Sequence, residues 1–266
     1  LSPVIDNLDK LLLDPENVEK EEEVKEILTA ENPEEVVNHS GGAYGGDTFW
    51  DLVGRQFGVT NHRHYKEKNG KVSVTLANAD VKVTPLTDEQ MQFAEEQINQ
   101  LFGEDFLKKW SKPEDRNLQI RNYFQVANAD AVFAVATLNK QGNGVTGGTN
   151  TAVQLGIKLN KPVYVWDITS ENWTKWDGAK FTNTEVPTLT KNFAGVGSRD
   201  IEAYAMPLEK DASGKVTKWG TTKDTGKYKG EAKEKAAADA IRAVYEKTFG
   251  KPEQVTETIY SQLGNK

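Results

Sequence analysis

The stretch Val36-Val37-Asn38-His39-Ser40-Gly41-Gly42-Ala43-Tyr44-Gly45-Gly46-Asp47 reads as a short apolar strand, a glycine-rich turn and a helix opening at Asp47 or Thr48. Four glycines in six residues free the backbone to take positive φ and to approach a ligand closely. Phe49, Trp50, Leu52, Val53 and Phe57 follow at helical spacing, with Gly58 past the end. A glycine turn feeding a helix N-terminus presents N–H groups and a positive dipole end, which suits phosphate. The plainer alternative is a tight β-to-α turn, and one such motif alone does not decide between them.

Two later segments repeat the pattern. Ala129-Asp130-Ala131-Val132-Phe133-Ala134-Val135-Ala136 is the most apolar run of the chain and suits a strand buried on both faces of a parallel sheet. It leads into a second glycine-rich loop, residues 142–151, and a helix carrying Ala152, Leu155, Gly156 and Leu159. Asn192-Phe193-Ala194-Gly195-Val196-Gly197-Ser198-Arg199 is a further strand ending in glycines. Strands alternating with helices predict an α/β fold, a Rossmann-like, mainly parallel sheet with helices on both faces and hairpin insertions. Such sheets bind ligands at the carboxyl ends of their strands. Three glycine-rich loops meeting there favour the phosphate-pocket reading over three unrelated turns.

The rest of the chain fits around this frame. Residues 1–35 predict two short acidic helices, a solvated arm or a docking arm for a partner chain. Val59-Thr60-Asn61-His62-Arg63-His64-Tyr65 reads as a second strand, and 66–86 as a hairpin excursion turning at Asn69-Gly70. Thr87-Asp88-Glu89-Gln90 is a capping box ahead of a helix whose Met91, Ala94, Ile98, Leu101 and Phe102 form a core stripe. A helix opens at Ser111-Lys112-Pro113, and Lys161-Pro162-Val163-Tyr164-Val165-Trp166-Asp167 is another strand. Trp173 to Phe181 reads as a hairpin turning at Asp177-Gly178, its tryptophans packing across the strands rather than stacking on a base. Residues 200–229 read as an insertion, 230–249 as an amphipathic helix and 251–266 as a terminal helix or tail. The main domain is thus placed at 36–250.

Among its 266 residues, 27% are charged and 37% hydrophobic, which is the balance of a globular chain. No apolar run approaches the ~20 residues that span a bilayer, so no membrane partner is expected. The absence of cysteine excludes disulfides and thiolate metal sites and fits an intracellular, cytoplasmic protein. The chain opens on Leu1, as a processed product, a trimmed chain or part of a longer polypeptide would. A net charge of −7 argues against nucleic-acid binding, which relies on basic residues neutralising phosphates. His62 and His64 share one face of a predicted strand, a half-site at most, and no metal site is expected from them.

Three segments together resemble the SLOG superfamily, the Rossmann-like group that includes Lonely Guy-type phosphoribohydrolases. They are Ser40-Gly41-Gly42-Ala43-Tyr44-Gly45-Gly46-Asp47, Gly147-Gly148-Thr149-Asn150-Thr151-Ala152 and Gly195-Val196-Gly197-Ser198-Arg199. Arg121-Asn122 resembles a pair found in phage-type members, which suggests a phage-encoded protein. In such members the Gly-Ser-Arg strand comes first, whereas here it lies near the C-terminus, so the resemblance implies a circular permutation. Lonely Guy-type enzymes carry a glutamate three residues after the motif threonine, where this chain has Gln154. A glutamine is neither a general base nor an anion, so the hydrolase activity is not carried over. Asp47 and Asp167 are the carboxylates left as candidates to stand in.

The resemblance and the loops together imply a module that binds a nucleotide or nucleotide-derived small molecule, with no firm cofactor. Backbone N–H groups of Gly41, Gly42, Ala43, Tyr44, Gly45, Gly147, Gly148, Thr149 and Asn150 would take phosphates, beside Gly195 and Gly197. Arg199 would pair with a phosphate through its fork, Ser40, Ser198 and Thr149 would donate hydroxyls, and Asn122 and Asp47 would reach ribose or base. Salt-bridging of Arg121 and Arg199 to nearby carboxylates is the structural alternative. A nucleotide N-glycosidic hydrolase is the second function expected, and a structural component of a larger assembly the third. A homo-oligomer is expected from SLOG relatives.

Overall fold

The computed structural model describes residues 30–43, 45–65, 81–198, 201, 206–210, 212, 216–220 and 231–251. The acidic arm (apart from its last residues), the Asn69-Gly70 turn, the C-terminal tail, Tyr44 and Arg199 lie outside them. One 3-10 turn (Pro33–Glu35) leads into an eight-stranded sheet: β1 Val37–Ser40, β2 Thr60–Tyr65, β3 Val81–Pro85, β4 Ala131–Ala136, β5 Val163–Asp167, β6 Asn172–Trp176, β7 Phe181–Asn183 and β8 Asn192–Gly197. Its order is β3-β2-β1-β8-β4-β5-β6-β7. The strands from β3 to β5 pair in parallel, whereas β6 and β7 add an antiparallel edge. This is the Rossmann-like α/β architecture expected.

Helices α1 (Gly46–Gln56) and α5 (Glu231–Phe249) cover one face; α2 (Asp88–Phe102), α3 (Pro113–Ala127) and α4 (Thr149–Lys158) cover the other. The period of two splits β4 between two cores: Ala131, Phe133 and Val135 pack with Trp50, Phe193, Ile241 and Tyr245, while Val132, Ala134 and Ala136 pack with Ile98, Ile120, Val153 and Leu155. Both boxes of local chemistry form as read. Thr87 accepts the Gln90 amide at 3.2 Å while the Gln90 side chain accepts the Thr87 N–H at 2.9 Å, and Pro113 sits in the first turn of α3.

One reading changes. Residues 66–86 do not all form a hairpin excursion, because Val81–Pro85 is a strand of the main sheet, running parallel to β2. Alternating Val81 and Val83 announce a strand, but period two is blind to which partner it joins. Within 200–229, β9 (Met206–Lys210) and β10 (Val216–Gly220) form a separate antiparallel pair. Trp173 is buried against Trp166 and Trp176 meets Phe181, so the 173–181 tryptophans serve packing. No helix among the described residues is long and apolar enough to cross a membrane.

Candidate functional site

The sheet has its switch point at β8. From β1 the chain moves one way to β2 and β3, and from β4 the other way to β5, with β8 between them. Parallel strands put the ends of β1, β8 and β4 on one edge, where their loops part and leave a crevice. A cleft of about 530 Å³ opens there. Ala43 and Asp47 line it from the first loop, Thr146 to Thr149 and Ala152 from the second, and Val196 to Ser198 from β8. Its remaining wall is α3 (Asp115, Leu118, Gln119, Arg121 and Asn122), with Trp110 just before that helix.

Nine expected ligand residues therefore meet at one site: Ala43, Asp47, Arg121, Asn122, Gly147, Gly148, Thr149, Gly197 and Ser198. Several others serve the scaffold. Ser40 is fully buried and its Oγ accepts the Gly42 N–H at 3.0 Å, so it does not face a ligand. Gly41 lies under the Arg121 guanidinium, which donates to the Gly41 carbonyl. Gly42, with φ +61°, lies against the Arg63 side chain, 2.8 Å from where a Cβ would sit. Gly45 caps α1 at φ 100°, and Asn150 accepts the Val145 N–H at 3.0 Å. Gly195 accommodates the Trp50 ring, and its N–H goes to Asn38 Oδ1 at 3.1 Å. These glycines make room for two buried arginines and a tryptophan; the contacts that need them are made by residues distant in sequence.

The same approach sets α1 against β8. Gly46 and Gly197 touch backbone to backbone, the Gly46 N–H reaches the Ser198 carbonyl at 3.1 Å, and the Gly197 N–H reaches Asp47 Oδ1 at 3.1 Å. Beneath the loop lies a buried polar layer. Asp51 accepts Arg63 Nε at 2.7 Å and the Arg63 terminal nitrogen at 2.5 Å on one oxygen, and Asn38 Nδ2 at 3.0 Å on the other. Asn61 accepts from Asn38 at 3.1 Å and donates to the Asp51 carbonyl at 2.9 Å.

Inside the cleft, Asp47 faces Arg121 at 3.7 Å. Burial raises the Asp47 pKa to about 6; Arg121 opposes the shift and Asp51 adds to it. Two cleft side chains more than nine-tenths buried keep an atom without a partner, Gln119 Oε1 and Arg121 Nε. Buried polar atoms are normally satisfied, so these two are exceptions among the residues that form the cleft wall. Gln119, Leu118, Asp115 and Trp110 were not foreseen. Asp115, Leu118 and Gln119 precede Asn122 by seven, four and three residues, so helical periodicity from the Arg121-Asn122 pair was the available signal.

The two carboxylates named as catalytic stand-ins separate. Asp167 does not line the cleft: burial would raise its pKa, but the N–H groups of Leu138, Ser170 and Thr169 and the Ser170 hydroxyl outweigh that and hold it low. Gln154 is also outside the lining, its Nε2 donating to the Asn143 carbonyl at 2.8 Å. Gln154→Glu would replace that donor with a carboxylate facing a carbonyl, so it is not a clean test of hydrolysis.

Compared with protein-family models, curated proteins and solved structures, the chain gives no significant match.

Proposed function

We propose that the chain binds a nucleotide or nucleotide-derived small molecule in the cleft at the β1–β8–β4 edge, as a sensing or sequestering module. The observation that carries the reading is that nine of the expected ligand residues, from three loops and α3, line one crevice flanked by the N-termini of α1 and α4. Helix N-termini and a buried guanidinium suit phosphate, Trp110 offers a ring to a base, and Asp115 and Asn122 suit ribose hydroxyls. The position of β8 at the centre of the sheet supports the reading of the chain as a permuted relative of the SLOG proteins.

Gly148→Asp separates binding from folding. Gly148 precedes α4 at an ordinary negative φ of −69°, so a side chain there is not strained, and a Cβ meets only the Gln119 side chain, whose Nε2 is nearest at 3.2 Å. The carboxylate would enter the cleft where the phosphate is placed. In titrations with NAD, ADP-ribose and cyclic nucleotides, the variant should keep its melting temperature and lose at least tenfold in affinity for whichever probe binds. Undiminished binding in the variant, or no binding by the unaltered chain, refutes the reading.

Asp47 gives the site a pH dependence. Its pKa of about 6 lies above the usual carboxyl value, so the group is charged at pH 7.5 and neutral at pH 5. A negative charge beside the phosphate opposes binding, so affinity for a phosphodiester probe, which does not titrate in this range, should rise roughly tenfold as pH falls from 7.5 to 5. Asp47→Asn should flatten the profile. The raised pKa also favours a second reading, N-glycosidic hydrolysis with Asp47 as the proton donor. Appearance of free base from a bound nucleotide, abolished by Asp47→Asn, would select it.

A further inference from the structure

The three histidines of the chain come together on the face of the sheet covered by α3. His39 in β1 pairs in register with His62 in β2, and His64 follows two residues on, so the period of two points all three the same way. Their ring centroids lie 5.6 Å (His39–His62), 5.4 Å (His39–His64) and 4.4 Å (His62–His64) apart. One nitrogen from each falls within 4.8 Å of the others, and His39 Nδ1 and His64 Nε2 are 3.1 Å apart. Zinc–nitrogen bonds of about 2.0–2.1 Å set tetrahedral ligand nitrogens roughly 3.3 Å apart, so small ring rotations bring the three onto one ion.

We propose that His39, His62 and His64 form a binding site for a zinc-type divalent transition metal ion, with three imidazole ligands and a fourth position left for water. Imidazole suits zinc, cobalt and nickel, and three protein ligands with an open position is the arrangement of reactive zinc rather than of closed structural zinc. The surroundings are those of a built site. The His64 ring stacks on Phe124 at 6.3 Å, while half-buried His62 gives the ion a way in. Phe124 follows Arg121 by three residues on α3, so the same helix borders both the metal cluster and the cleft.

The test is equilibrium dialysis and visible absorption of the full metal-free chain with Co²⁺, followed by competition with Zn²⁺. One Co²⁺ per chain with the intense d–d bands of a four-coordinate nitrogen site, displaced by Zn²⁺, is the expected result. His62→Ala, at a half-buried position, and His39→Gln, which keeps a polar side chain, should each weaken Co²⁺ binding by at least tenfold while circular dichroism stays unchanged. Absence of stoichiometric binding overturns the site, as does binding that survives in both variants; either would leave the histidines as a hydrogen-bonded stack. Nucleotide affinity is read separately, so failure here leaves the cleft reading standing.

Discussion

Asp51→Ala should unfold at a free energy about 3–5 kcal/mol lower than the unaltered chain, measured by urea denaturation. Asp51 and Arg63 are both almost fully buried, and the carboxylate takes the guanidinium at two nitrogens and Asn38 besides. Deleting the carboxylate takes the acceptor of three hydrogen bonds from a buried guanidinium and from Asn38, and the desolvation of those donors, more than the lost attraction, sets the cost. The double variant Asp51→Leu/Arg63→Met should recover most of the loss, since both charges then leave together and Asn38 keeps its bond to Asn61. A single-variant cost below about 1 kcal/mol would show that the pair contributes little.

Gly197→Val should cost roughly 2–3 kcal/mol and, unlike Asp51→Ala, should act on the cleft directly. A Cβ at 197 runs into the Gly46 Cα and lies 3.2 Å from the Val135 carbonyl. Both neighbours are backbone, so neither can swing aside as a flexible side chain would. The N-terminus of α1 has to retreat, and with it go the Gly46-to-Ser198 bond and the Gly197-to-Asp47 bond. The denaturation midpoint should fall and binding of the phosphodiester probe should vanish even at temperatures where the variant stays folded. Unchanged affinity in a folded variant would mean that α1 need not rest on β8 for the cleft to work.

How far the sequence reveals all this depends on the range of the interaction. Strands β1, β4, β5 and β8 and helices α1 to α5 announce themselves through periodicity, caps and runs of apolar residues, which are local. The glycines of 41–46 announce only that something comes close. That the visitors are Arg121 and Arg63 for the first two, and Gly197 for Gly46, depends on contacts across as many as 151 residues of chain. The histidines show the same limit: His62 and His64 are visibly on one face, but His39 joins them only through the register of β1 with β2. Val81–Pro85 was recognisable as extended but not as parallel, because pairing direction leaves no mark on alternation.

The place of β8 also governs how the molecule can be made. Its hydrogen-bonding partners are β1 on one side and β4 on the other, and its Gly195 N–H meets Asn38, 157 residues earlier. Until residues 192–197 leave the ribosome, β1 and β4 each present an unpaired edge, and the nascent chain carries two half-sheets with no common centre. At roughly 5–20 residues per second, the segment between β4 and β8 keeps those edges waiting for several seconds. The last parallel strand to be synthesised is thus the keystone, and non-local closure of this kind makes for slow folding with sheet edges open to aggregation until it is complete.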